Sequence, residues 1–340
     1  MTTSTVASQE EQAALEKLVV ELAKTPPTLP GREWLLNEAG ELTYLRFLRG
    51  HQLRVKKVVK LLKNTARWRV EYGTNDITKT WPLVQTFEAR LIRNHWPMAV
   101  TGKDFDQRPV HYFHMAHVDF PALVENVGVD ILVRHNVYLM EMALQENPRG
   151  EAIMIVDLGT HKGLGAFSFL SLTKWLQAVV QFVKAMAKIA DPYYPESYFR
   201  IYFIRVHKVF EKMYKTMSSN LAENTLSKVQ VLPEEGMFEA LLEDIPKESL
   251  PETLGGESKV VFAKGGLISD EDLLIAREGA VLATEELDAE DDQPTTQAAV
   301  NSATSPAAGP GTVTAPSDKP RQSIRKSIAK RISKVVAKKN

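Results

Sequence analysis

His111, His114 and His117 recur every third residue, a density of imidazoles that invites a metal. On a strand, however, a spacing of three alternates faces. His111 and His117 would then share a face but lie roughly 20 Å apart at about 3.3 Å per residue, with His114 pointing the other way. Three ordinary half-buried histidines fit that pattern better than a metal site. Gly163-Leu164-Gly165 stands between a predicted strand and a predicted helix, where a dinucleotide loop would stand. Phe167 and Ser168 occupy the place of the third glycine, so a relaxed loop is the expectation. No GxxxxGK[ST] phosphate loop and no GxSxG elbow occurs. Glu196 follows Asp191-Pro192-Tyr193-Tyr194-Pro195 and has the chemistry of a general acid, but no second carboxylate is identifiable beside it. The chain has no cysteine, which excludes disulfides, thiol catalysis and cysteine-ligated zinc. These residues point away from an enzyme and toward a binding protein.

The elements that must position such groups change in kind along the chain. Glu10–Lys24 reads as an amphipathic helix with Leu15, Leu18, Val19 and Leu22 on one face, stopped by Pro26, Pro27 and Pro30. Glu41–Tyr72 is helical, with Gly50 and Gly73 as breaks. Beyond residue 96, short apolar runs alternate with helices. His111–Phe120, Glu151–Leu158, Arg200–Val206 and Val229–Leu232 read as strands. Val129–Glu146, Phe169–Ala190, His207–Met217 and Glu234–Glu243 read as helices, and Leu250–Gly256 as a turn-rich segment. Alternation of this kind predicts an α/β layered domain with a mixed, largely parallel sheet. The unalternated Ala152–Val156 run predicts a strand covered on both faces.

The formal net charge of zero hides a segregation. Residues 269–292 carry ten acids against Arg277 alone, and residues 321–340 carry eight bases and no acid. Residues 293–318 are rich in Ala, Thr, Ser, Pro and Gly, the composition of a flexible linker. The N-terminus has neither the basic nor the apolar region of a secretory signal, and Thr2 rules out N-myristoylation. Phe167–Ala190 contains Lys174 and Lys184, which makes it a poor membrane span. A cytoplasmic protein with peripheral membrane association is the expectation.

Several segments together resemble the CRAL-TRIO lipid-binding family, and within it the yeast-type phosphatidylinositol/phosphatidylcholine transfer proteins. Leu45-Arg46-Phe47-Leu48-Arg49 with Lys63–Gly73 is similar to the family's helical N-terminal part. Gly102-Lys103-Asp104 with Arg108-Pro109-Val110 is similar to its GxD…GRPV turn, with Gln107 in place of the glycine. Ile155-Val156-Asp157-Leu158, Tyr193-Tyr194-Pro195-Glu196 and Leu250-Pro251 with Gly255-Gly256 resemble its central strand, the segment before its next strand and its LPxxxGG ending. The resemblance spans about residues 41–257.

The resemblance implies an N-terminal helical subdomain and a sheet whose face floors an apolar lipid pocket, gated by His207–Met217 and the loop Ser218–Ser227. Val209, Phe210, Met213, Tyr214 and Met217 then line the gate and acyl pocket; read alone, their spacing is that of an ordinary core face. It also implies that Glu196, Thr225 and Lys228 hold a lipid headgroup, with Tyr194 beside them and His51 where the family has Arg or Lys. Without that family, Glu196 and Lys228 read as a surface ion pair. The departure at His51 leaves the lipid open among phosphatidylinositol, phosphatidylcholine, a sterol and a tocopherol-like molecule. No cofactor beyond a bound lipid, no nucleic acid and a monomeric state are expected. A lipid-sensing scaffold that performs no net transfer is the alternative.

In the tail, Ile324, Ile328, Ile332 and Val335 form one apolar stripe, surrounded by Arg325, Lys326, Lys330, Arg331 and Lys334. A helix of that pattern lies in an anionic membrane interface, and no aromatic is present to stack on bases. The predicted partition is a helical N-terminal subdomain at 10–95, a lipid-binding α/β domain at 96–257, an acidic and disordered linker at 258–318 and a basic amphipathic helix at 319–340.

Overall fold

A computed structural model describes residues 7–159, 169–206 and 226–291 of the chain, all within the first of two compact units, residues 1–291. The Gly163-Leu164-Gly165 loop, Thr225, the gate residues Val209, Phe210, Met213, Tyr214 and Met217, and the tail stripe from Ile324 to Val335 lie outside the described residues.

Helix α1 (Gln9–Ala23) starts at a capping box, in which the Glu11 amide donates to Ser8 Oγ and the Ser8 amide to Glu11 Oε2. It buries Ala14, Leu15, Leu18 and Leu22. After a π-helical turn at Trp34–Glu38 come α2 (Gly40–Gly50) and α3 (Val55–Tyr72). Leu35, Phe47, Leu48, Val58, Leu62 and Ala66 complete an apolar core shared by these helices. Their close approach requires a glycine: a methyl on Gly31, which sits at φ +74°, would lie 2.1 Å from the Ala66 carbonyl oxygen. Helices α4 (Ile77–Thr80) and α5 (Phe87–His95) pack elsewhere, since Ile77, Leu91 and Ile92 belong to a larger core with the elements that follow.

Five strands form one sheet in sequence order: β1 (Met98–Lys103), β2 (Pro109–Phe113), β3 (Ala152–Asp157), β4 (Tyr198–Ile204) and β5 (Val229–Val231). The β1–β2 pair is antiparallel and the rest are parallel, as α/β crossovers demand. Helices α6 (Phe120–Asn126) and α7 (Val129–Glu146) link β2 to β3, and α8 (Phe169–Tyr193) lies between β3 and β4. Phe113, Met154, Val156 and Phe203 point into the larger core with Val137, Trp175, Val179 and Phe182. Their neighbours Tyr112, Ile153, Ile155 and Tyr202 point the other way, onto α9 (Met237–Leu242) and Leu250. Each strand of the centre is therefore covered on both faces, and all six residues of β3 are buried.

Two expectations need correction. His111–Phe120 is not one strand: β2 ends at Phe113, and a 3-10 turn at Met115–His117 bends the chain so that the His114 and His117 rings stack at 3.8 Å. The segment 258–318, expected to be an acidic and disordered linker, contains α10 (Asp270–Asp291). Its first turn holds Asp270, Glu271 and Asp272, where acids favour the exposed amides of a helix start. The Asp272 amide donates to Ser269 Oγ and the Ser269 amide to Asp272 Oδ2. Ala276 is buried, and Gly279 lies so close to Arg90 of α5 that a methyl there would sit 2.2 Å from Nη2. Acid density, read as a sign of disorder, here includes a helix cap.

Candidate functional site

The N-terminal ends of β4 and β5 meet the end of α2, and there the structure gathers three of the residues singled out in the sequence. Glu196 Oε2 lies 2.7 Å from Lys228 Nζ, with the two side chains 16% and 17% exposed. A methyl placed on Gly50 would be 3.0 Å from Pro195 Cβ and 3.6 Å from Glu196 Oε1, so the loop carrying Glu196 rests on the end of α2. His51, next in sequence, is near enough to feel the Glu196 charge. Burial lowers its pKa first and Lys57 lowers it further, against the pull of Glu196. Its Nε2 is buried with no hydrogen-bond partner among the described residues. At neutral pH His51 is therefore an uncharged imidazole, where the family pattern has a permanent cation.

The Glu196 loop is held from below. Arg46, 4% exposed, donates from Nη1 to the Pro195 carbonyl at 3.1 Å. Burial pulls its pKa down to about 10, still far above neutrality. The Glu151 and Ala152 amides donate to the Glu196 and Ser197 carbonyls. Gly150 makes this possible: a methyl there would meet both the Glu196 carbonyl oxygen and Arg46 Cδ at 2.7 Å. Glu196 itself has φ +55°, a left-handed backbone that costs a non-glycine residue on the order of 1 kcal/mol. The sequence reading did not single out Arg46, although a charged residue inside the apolar run Leu45–Leu48 marked it.

Tyr194 does not join this group and is corrected here. Its hydroxyl donates to Glu141 Oε1 at 2.6 Å, and Glu141 is gripped by Arg69 through Nη1 and Nη2 at 2.7 and 2.9 Å. Tyr194 points inward because α8 runs on to the preceding residue, Tyr193, whose ring stacks on Trp68 at 4.1 Å. Only after Pro195 does the chain turn toward β4. Among the described residues no group of three or more potential ligands could hold a metal. His111, pushed down to a pKa of about 4 by burial, lies on β2 beside a small cavity of about 20 Å³ lined also by Met140, Ala152 and Tyr198.

From the Glu196–Lys228 edge, apolar surface extends along the sheet and α8. Trp175, Ala178, Val179 and Phe182 of α8 are buried, while Lys174, Gln177, Gln181, Lys184 and Lys188 are exposed. Between those two stripes runs a third, Leu176, Val180 and Val183, apolar but only half-buried. Tyr198 and Ile201 of β4 and Val229 of β5 are half-buried on the same side of the sheet. These three residues pack against the core and widen the apolar face of α8 beyond its fully buried stripe. The arrangement thus offers a charged pair at one edge and an apolar wall running away from it. Among the described residues no helix is long and apolar enough to cross a membrane.

Residues 93–256 match the family model described as the CRAL/TRIO domain. The chain is 30% identical over 235 residues to the phosphatidylinositol/phosphatidylcholine transfer protein SFH13 of Arabidopsis thaliana, covering 66% of this chain but 35% of that relative. It is 26% identical over 256 residues to the Sec14 cytosolic factor of Schizosaccharomyces pombe, covering 72% of this chain and 82% of that one. Among solved structures, one titled crystal structure of Sfh5 has a similar fold, with a TM-score of 0.52, 17% identity and coverage of 85% of this chain.

Proposed function

We propose that this chain, a member of the CRAL/TRIO family, encloses one phospholipid of the phosphatidylinositol or phosphatidylcholine type and exchanges it between membranes. The single observation that carries this reading is the junction of a half-buried Glu196–Lys228 pair with a half-buried apolar wall on α8 and β4. A phospholipid has the same division, a charged head joined to apolar chains. Phosphatidylinositol and phosphatidylcholine are also the lipids in the first relative's name.

The energetics favour a carrier without chemistry. Two acyl chains of roughly thirty methylenes would cost on the order of 20 kcal/mol to expose to water at ~0.8 kcal/mol each. A pocket that replaces the bilayer contact removes most of that cost, so exchange is nearly balanced and its rate is set by opening and handover. Lys228 offers its ammonium to a headgroup phosphate, and Glu196 orients that ammonium and accepts from headgroup hydroxyls. Thr225 is assigned with them, the gate residues 209–217 are assigned to cover the acyl chains, and the tail from Ile324 to Val335 is assigned to the membrane surface. No bond is made or broken, so no catalytic residue and no cofactor is invoked. The proposed setting is the cytoplasm with peripheral membrane contact.

The test is transfer of labelled phosphatidylinositol and phosphatidylcholine from donor to acceptor vesicles by the full chain. Transfer that scales with protein concentration is the expected result. Protein-independent transfer of both lipids would overturn the reading.

A further inference from the structure

We infer that the exposed basic face of α3 is a second membrane-seating surface, besides the tail, and the one that holds the headgroup site against an anionic lipid bilayer. Lys56, Lys60, Lys63 and Arg67 follow one another at spacings of four, three and four, which places them in a single row about 16 Å long at 1.5 Å rise per residue. Arg54, the N-cap of α3, and Lys57 add two more bases near its N-terminal end. Five of these six side chains are exposed and Lys63 is half-buried. None of the six is in an ion pair among the described residues. Glu21 of α1 feels the charges of Lys56 and Lys63, but it is already engaged by Lys24 at 2.5 Å. The opposite face of α3 buries Val58, Leu62 and Ala66, so the row is fixed in direction.

Location identifies the partner. Lys57 lies close enough to His51 to lower its pKa, and His51 adjoins the Glu196–Lys228 pair. The basic row therefore starts at the headgroup site and runs away from it. A lipid that enters and leaves without crossing water needs its site held against the bilayer, and a row of cations beside that site attracts anionic headgroups there. A nucleic acid fits less well: the aromatic side chains of α3 are occupied, with the Trp68 ring stacked on Tyr193 and Tyr72, leaving no platform for bases. This inference rests on the lipid-exchange reading for its orientation.

The experiment uses the full chain and the variant Lys56→Gln/Lys60→Gln/Lys63→Gln/Arg67→Gln, which leaves Glu196, Lys228 and His51 in place. Binding to phosphatidylcholine vesicles with and without about 30 mol% phosphatidylserine is measured by co-sedimentation. The expected result is a roughly tenfold or greater loss of binding to the anionic vesicles, and in the parent a matching loss when salt is raised from about 0.1 M to 0.5 M. Because the chain has no cysteine, a solvatochromic dye on Lys60→Cys reports the local contact. It shifts on adding anionic vesicles, whereas the same dye on Val261→Cys, a side chain 91% exposed, does not. Unchanged anionic binding by the fourfold variant, or a silent dye at position 60 on vesicle-bound protein, overturns the inference. So does a variant that loses an acidic polymer but keeps the vesicles. Lipid extracted from the purified proteins separates the two readings. A variant that keeps its lipid yet loses the vesicles supports the surface, while a parent without lipid strikes the pocket alone.

Discussion

Tyr194 and Glu196 are two residues apart, yet they end in opposite environments. The Tyr194 hydroxyl joins Glu141 and Arg69 in a network whose ion pair is 10% exposed on each side, and the planar guanidinium grips the carboxylate through two nitrogens. Glu196 meets an ammonium, a point charge on a flexible stem, at a half-buried edge of the sheet. The first arrangement uses its donors and acceptors on itself and locks α3, α7 and α8 together. The second leaves a cation whose directions of approach are not consumed by a fork. The comparison teaches that a closed polar network builds the scaffold, while an adjustable pair on that scaffold is suited to meeting a ligand.

The comparison breaks first if the inner network proves dispensable. Glu141→Ala strands the Arg69 charge in the core, and removing one partner of a buried pair costs about 3–5 kcal/mol. Thermal or urea unfolding should show a large drop in stability, and a change under about 1 kcal/mol would deny the network its structural role.

A nearly equal effect should come from acid, again in the closed interior. Burial holds His111 at a pKa of about 4 and His135 at about 3, and His135 Nδ1 accepts from Trp81 Nε1. Both are neutral in the fold, while in the unfolded chain they take up a proton below pH about 6.5. The unfolded state therefore binds more protons, so stability is intact above that pH and is lost as pH falls toward 4. At pH 5 the loss is about 2 kcal/mol for each histidine. Urea midpoints at pH 7, 6 and 5 check it, and a flat profile would contradict the buried neutral state of these rings.

At the edge site the pattern inverts, with function more sensitive than stability. Lys228→Ala should slow phosphatidylinositol transfer by roughly tenfold, while this partly buried single pair at the sheet edge should add about 1 kcal/mol to folding. Loss of fold without selective loss of transfer would erase the distinction between the regions. His51→Arg sharpens it further. A permanent cation there should raise the preference for phosphatidylinositol over phosphatidylcholine by a few-fold, read as the ratio of the two transfer rates.

The smallest effect belongs to the β1–β2 turn, where Gln107 takes part in neither the Tyr194 network nor the Glu196–Lys228 pair. Gln107, which stands where the family has glycine, has φ +64°. Gln107→Gly relieves about 1 kcal/mol of left-handed backbone cost and gives back part of it as chain entropy. A net gain of about 0.5 kcal/mol in unfolding free energy, with transfer unchanged, is expected.

What the residues disclosed in advance was local. α7 occupies Val129–Glu146 as its apolar periodicity predicts, and β3 is covered on both faces as its unbroken apolar run predicts. Glu196 and Lys228, 32 residues apart, were paired only through resemblance; nothing in their spacing shows that two strand starts lie side by side. Tyr194 was misplaced because a helix that ends at Tyr193 and a left-handed Glu196 decide which side chains turn inward, and neither is written in residue type. α10 escaped notice because ten acids outweighed Ser269, Leu273 and Ala276, although the cap and the buried stripe were already present.

The central claim is that a lipid is held between the charged edge and the apolar wall. Native mass spectrometry of the full chain, after incubation with mixed phosphatidylinositol and phosphatidylcholine vesicles, tests it most directly. One phospholipid mass per chain, reduced in Lys228→Ala, is the predicted spectrum. A chain that stays at its bare mass in both proteins would contradict the claim.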